Sequence, residues 1–203
     1  QSIDVLGIVD ADVAFEVANG AEVQLTNRDL LLGASTNSFT VLNGGTLAFN
    51  NFNVTGAGTF TLAVGGTLKI TDAAGVTTTG ATGNVRTTGI RTYTAGGNYT
   101  YLGSAASQAT GNAVTNAGTI TIDKTNTGDV VTPSVAIPTL GAIRVNRGVF
   151  DAGSTVVGGT ATNFTLLANG KYRTSGAGTK PSAAGTYTVD PTATVEFYGT
   201  DAT

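Results

Sequence analysis

The hydrophobic positions of this chain fall into an eleven-residue pattern written five times. FEVANGAEVQL starts at Phe15, FTVLNGGTLAF at Phe39 and FTLAVGGTLKI at Phe60. Weaker copies follow, FTLLANGKYRT at Phe164 and YTVDPTATVEF at Tyr187. Each copy opens on an aromatic residue, has Val or Leu two places on, and carries a small or turn-forming pair at the sixth and seventh places. It then returns to an apolar or aromatic residue at the ninth. Phe39, Val41, Leu47 and Phe49 alternate with Thr40 and Thr46, a period of two that predicts half-buried strands with Thr facing outward. Gly44-Gly45 and Gly65-Gly66 predict tight turns between the paired segments, since Gly accepts positive φ without steric cost. No window keeps apolar residues at 3.6 spacing, so no helix is expected.

The first three copies start 24 and then 21 residues apart (15 to 39 to 60), the length of one solenoid coil. Stacked coils would place Phe15 over Phe39 over Phe60, and Leu25 over Phe49 over Ile70, and each backbone would pair with the next coil. The expectation is an all-β chain folded as a right-handed parallel β-helix of about nine coils of 21–24 residues, a single domain over residues 1–203. Antiparallel hairpins in a β-sandwich are the alternative. From about Gly75 to Thr139 the pattern breaks into Gly- and Thr-rich sequence. Pro133, Pro138, Pro181 and Pro191 are expected at coil corners or sheet edges. The acids Asp4, Asp10, Asp12 and Glu16 are expected in a capping coil; their spacing matches no calcium loop.

Composition narrows the function. Charged residues make up 11% of the chain, which contains no Cys, His, Met or Trp. The lack of Cys and His excludes disulfides, thiolate chemistry and imidazole-based triads or metal sites. The net charge of −3 and pI near 4.7 argue against nucleic acid as a partner. No stretch approaches the ~20 apolar residues of a membrane helix. A surface covered by Thr, Ser, Asn and Gly instead of charge suits an exported protein. The start at Gln1 is read as a mature terminus left after signal-peptide removal.

GIRTYTAGGNYTYLGSAASQATGN, with Tyr99, Tyr101, Gly103, Gln108, Thr110 and Gly111, followed by Thr119 to Asp123, resembles a recurrent block in large secreted repetitive surface proteins of Bacteroidetes. Leu102 stands where that block usually has Asn. The resemblance implies an adhesin-type β-helix exported by the type IX route. Val195 to Ala202 parallels Tyr99 to Ala106, which implies the opening of a second block and a longer parent chain.

Candidate chemistry is sparse. Asp123, Asp129, Asp151, Asp190 and Glu196 are the acids available for glycoside cleavage, which needs two or three converging on one groove. No pair is placed on one face by its spacing, so no enzyme is expected. The Gly-rich stretches lack the Lys-Ser/Thr of a phosphate loop. Tyr93, Tyr99, Tyr101 and Gln108 form the candidate ligand-binding surface, with rings able to stack on sugars; core packing is the alternative for the tyrosines. Thr59/Thr61 and Thr119/Thr121 fit an outward Thr-x-Thr array, but the copies at Phe15 and Phe39 do not. The function expected is a non-enzymatic surface adhesin or fibre segment without cofactor. Its partners would be other copies of itself or cell-surface glycans, and end-to-end assembly is a variant. A carbohydrate-active module is the competing reading.

Overall fold

In the computed structural model, residues 2–3, 12–158, 162–175 and 185–199 are described, the first two as backbone only. Asp4, Asp10 and Pro181 lie outside them. The chain runs coil by coil. β1 (Ser2–Ile3) precedes a first full coil of β2 (Ala14–Val17), β3 (Glu22–Leu25) and β4 (Leu30–Leu32). The second coil is β5 (Ser38–Val41), β6 (Thr46–Ala48) and β7 (Val54–Gly56), and the third β8 (Thr59–Leu62), β9 (Thr67–Ile70) and β10 (Val85–Thr87). The fourth holds β11 (Arg91–Tyr93), β12 (Asn98–Tyr101) and β13 (Ser107–Ala109), and the fifth β14 (Asn116–Asp123) and β15 (Val130–Thr132). β16 (Thr139–Asp151) and β17 (Asn163–Ser175) each carry most of a coil as one strand. β18 (Tyr187–Val189) and β19 (Thr194–Tyr198) form the last described coil.

Every strand pairing among the described residues is parallel. The two arms of each sequence copy never pair with each other, which decides for the solenoid over the sandwich. The molecule is an all-β parallel β-solenoid of about eight turns, so at ~4.8 Å per coil the stack is roughly 40 Å long.

One sheet runs the length of the stack, joining β1, β3, β6, β9, β12, β14, β16, β17 and β18. Its inward ladder is Val23, Leu47, Leu68, Tyr99, Ile120, Ile143, Phe164 and Tyr187. Two smaller sheets complete the early coils, one spanning four coils and the other three. β2, β5, β8 and β11 stack Phe15, Phe39 and Phe60, with ring centroids 6.1 and 6.0 Å apart. β4, β7 and β10 make the third side, entered through a stacked row of Asp29, Asn53 and Asn84. Asn50 and Asn51, both at positive φ, turn the chain from the long sheet towards β7. Asn tolerates this left-handed region better than most residues.

The corner between the first two sides is a stack of turns. Ala21, Gly45, Gly66 and Gly97 each donate to the carbonyl three residues back, and Gly20, Gly44 and Gly65 donate to Gly44, Gly65 and Gly96 of the next coil. Gly44 and Gly65 sit at φ 73°, as their positions in the pattern predict. A Cβ on Gly44 would meet the end of the exposed Asn19 side chain, which can swing aside, so it is the positive φ that favours glycine there.

The sequence that looks irregular keeps the long sheet intact. Leu47 to Leu68 and Tyr99 to Ile120 each span 21 residues, but Leu68 to Tyr99 spans 31. The extra residues carry the chain out along a new face before it returns to β10. Ala109 N donates to Ala73 O at 2.7 Å, so this detour seeds the face that β13, β15, β16, β17 and β19 continue. The detour also accounts for about eight turns where the spacing of the first copies suggests nine.

It also displaces the weaker copies. Phe164 and Tyr187 do not resume the Phe15–Phe39–Phe60 stack, whose side ends at Arg91. They join the Leu47–Leu68–Tyr99 ladder, one corner later. Val195 likewise stacks in register with Tyr172, Phe150, Val131 and Gln108, not at the place of Tyr99. The apparent second block thus occupies a different side of the coil. Pro133 and Pro138 flank β15 and β16 and Pro191 sits in the last corner, as expected of residues that cannot donate to a ladder.

Candidate functional site

The residues singled out in the sequence gather at the junction where the detour begins, but mostly on its inside. Tyr99, Tyr101 and Gln108 are buried, and Tyr93 is half-buried. Their strands alternate in and out with period two, and these places fall on the inward phase. Core packing therefore accounts for Tyr99 and Tyr101, and neither ring offers an exposed platform. Tyr101 donates to Thr110 O at 2.9 Å and Tyr93 to Thr77 O at 3.3 Å. The Tyr99 hydroxyl is buried and has no hydrogen-bond partner among the described residues. Burial pushes all three phenols above the ordinary tyrosine value.

Two cations that sequence reasoning missed organise this interior. Lys124 is 2% exposed. Its Nζ donates to Gln108 Oε1 and to Leu102 O, each at 2.8 Å, while Gln108 Nε2 donates to Asp72 O at 2.9 Å. Desolvation holds the Lys124 ammonium below the ordinary lysine value, with the Asp129 carboxylate acting against it. Arg91 takes the ladder place above Phe60. Its guanidinium spends its N–H groups on the carbonyls of Thr77, Gly80 and Thr87 and the Thr77 hydroxyl. A fork of five donors can satisfy a cluster of backbone oxygens that no lysine could. Nothing in TIDKTNT or GIRTY marks these residues as buried. Their inward phase is visible only once the length of the detour is known.

Above Arg91, the arch of residues 78–81 and the turn at residues 86–89 enclose a cleft of about 430 Å³. Its walls are threonine-rich, and Arg86 pairs with Asp72 at 2.8 Å on one side. Among the described residues no carboxylate lies within ion-pair distance of Arg91.

The acids do not converge. Asp129 is buried and accepts from Asn126. Asp190 accepts from the Thr192 hydroxyl and amide. Asp123 aligns with Arg147. Asp151 and Glu196 lie two coils apart in one outward row with Arg173 between them, at 3.2 Å from each. Tyr198 donates to Asp151 at 2.7 Å and its ring lies under Arg173, while Glu196 also pairs with Lys171. The hydrogen bond from Lys171 leads in holding Glu196 below its ordinary value, the reverse of what a general acid needs. This row ties the last three coils together.

The largest regular surface is the outer face of the long sheet. One row runs Glu22, Thr46, Thr67, Asn98, Thr119, Ala142, Asn163, and its neighbour runs Lys69, Thr100, Thr121, Arg144, Thr165, Thr188. Hydroxyls and amides therefore recur at coil spacing, interrupted by the Lys69–Glu22 pair at 2.7 Å and by Arg144. Among the described residues no cluster of three metal-ligating side chains occurs and no helix is long and apolar enough to cross a membrane. Comparison with protein-family models, curated proteins and solved structures finds no match.

Proposed function

We propose that the chain is a non-enzymatic structural and adhesive segment of an extracellular surface protein, of the kind the Bacteroidetes resemblance implies. The observation that carries this reading is the outer face of the long sheet. It offers an extended array of Thr and Asn side chains, low in charge and fixed at coil spacing. Each such group makes a weak contact with a polyhydroxylated surface, and many fixed on one rigid body act together. The partners are cell-surface glycans and other copies of the chain, with no cofactor.

The test is adhesion of protein-coated beads to a panel of immobilised polysaccharides. Binding should survive Thr121→Glu alone and fall steeply when Thr100, Thr121 and Thr165 all become Glu. No oligosaccharide should be released on long incubation; release of soluble products would overturn the reading in favour of an enzyme. A second reading, a dedicated carbohydrate-binding module, is favoured by the threonine-walled cleft over Arg91, where Arg86 lines one side and suits an acidic sugar. Saturable binding of a uronate oligomer, lost in Arg86→Gln and kept in the triple Thr variant, would select it.

A further inference from the structure

We propose that the ledge where the two smaller sheets end takes up an extended peptide of another protein as an added strand on β11, with an acidic side chain of that peptide in the cleft at Arg86. The surface is separate from the adhesive face of the long sheet. Its cleft is the one a uronate would enter, and the experiment below separates the two occupants.

The ledge follows from the path of the chain. β10 and β11 are the last strands of their sheets, and among the described residues each has a single strand neighbour, β7 and β8 respectively. The fifth coil returns from β13 through residues 110–115 and rejoins the stack at the corner, where Gly118 N donates to Gly97 O at 2.8 Å. It lays no strand over β11. Along that edge Thr92, Thr94 and Ala95 are exposed, and Ile90 is 74% exposed.

The backbone of β11 is half used. Phe60 N donates to Ile90 O and Thr94 N donates to Leu62 O, each at 2.9 Å. Successive residues of a parallel strand turn their polar groups to opposite sides. Ile90, Thr92 and Thr94 therefore serve β8, and the amides and carbonyls of Arg91 and Tyr93 face the ledge. None of these four groups has a partner among the described residues. β10 is less open, because the Arg91 guanidinium occupies Thr87 O. Natural edges are blocked by lysine, proline, a bulge or an inward charge. β11 has only the last. Arg91 is already buried with its N–H groups bonded within the chain, so a strand laid over it leaves no charge unsatisfied.

The cleft selects the occupant. It adjoins the first residue of β11, so the end of an added strand reaches it. Among the described residues, the charged side chains that line it are Arg86 and Arg91, with no carboxylate. Arg86 spends Nε on Gly83 O and Nη2 on Asp72, both at 2.8 Å, and its Nη1 has no partner among the described residues. Thr87 also lines the cleft, and its buried hydroxyl has no partner among them either. A carboxylate accepts from both kinds of donor, and its bonds to a guanidinium are charge-assisted. Strand addition divides the work in this way, with main-chain bonds giving affinity and a side-chain pocket giving specificity.

The experiment is titration of the 203-residue chain with an acetylated, amidated Glu-Thr-Val-Thr-Val-Thr-Glu peptide, which offers a carboxylate to the cleft whichever way it runs. It should bind saturably, and its counterpart with Gln at both ends should bind roughly tenfold more weakly. Only alternate amides of an added strand face β11. N-methylating the Thr amides or the Val amides should therefore abolish binding in one case and spare it in the other. Arg86→Gln should erase the preference for Glu over Gln and keep the weaker binding, with circular dichroism reporting whether the fold is kept. The peptide comparisons on the wild-type chain decide the matter even if that variant fails to fold. No binding at about 1 mM peptide, equal loss from both N-methylation patterns, or equal binding of the Glu and Gln peptides would each overturn the proposal. Binding of a uronate oligomer without binding of the peptide would give the cleft to a sugar and overturn it as well.

Discussion

The Phe15–Phe39–Phe60 ladder and the interior at Arg91, Gln108 and Lys124 fill neighbouring stretches of one solenoid with opposite chemistry. In the first, equal rings repeat at equal places, and each contact resembles the last. In the second, where the third coil lengthens, the sides no longer superpose and carbonyls of the detour turn inward. Rings cannot satisfy those oxygens, so a guanidinium, an ammonium and a carboxamide do. An apolar ladder loses stability in proportion to what is removed, whereas a buried polar network depends on every member having its partner.

Removing one rung tests the apolar side. Phe39→Ala should cost about 4 kcal/mol, the largest effect, read as a shifted urea midpoint. Arg91→Ala should cost about 3 kcal/mol by stranding the Thr77, Gly80 and Thr87 carbonyls. Arg91→Lys should recover little of it, because three donors replace a five-donor fork. Hydrogen exchange should accelerate across residues 77–87 and leave β5 protected; uniform acceleration would erase the distinction between the two regions.

Lys124→Met should cost about 2 kcal/mol by leaving Gln108 Oε1 and Leu102 O without their donor. Adding Gln108→Met should cost less than the sum, since the Ile70 and Asp72 carbonyls keep their backbone donors Leu102 N and Gly75 N. The folded protein sheds the Lys124 proton at lower pH than the unfolded chain does. The charge-burial penalty is therefore full at neutral pH and is relieved as pH rises from the folded value towards the ordinary one. Wild type should gain stability relative to Lys124→Met between neutral and alkaline pH; a flat difference would place the ammonium in solvent.

The smallest contrast is between adjacent inward tyrosines. Tyr101→Phe should cost about 1 kcal/mol for its bond to Thr110 O. Tyr99→Phe should be neutral or slightly stabilising, because its hydroxyl has no partner among the described residues. Equal losses would mean that Tyr99 has a bound water.

The sequence made the regular part legible because its coils have equal lengths. Phe39 predicts Phe60 once a spacing of 21 is known, and Gly44 predicts Gly65 by the same step. The parallel sheet follows from that repetition. Legibility failed at the detour, since a change of ten residues in one coil shifts every later place. Phe164 then looks like Phe39 although it belongs to the next side. The candidate site suffered the same ambiguity: Tyr99 and Tyr101 have the composition of a sugar platform and the phase of a core. Lys124 escaped notice because one buried lysine carries no periodic signature.

The stacked corner at Gly20, Gly44, Gly65 and Gly96 has a mechanical consequence. Its hydrogen bonds, like those of the sheets, point along the rod, so tension applied along the axis loads them end-on and opens them in sequence. A tethered rod would pay out by unspooling one coil at a time. A coil of 21 residues releases about 70 Å of contour, at ~3.4 Å per residue. The lengthened coil, pinned by Arg91 and Lys124, would resist longest and release the longest step.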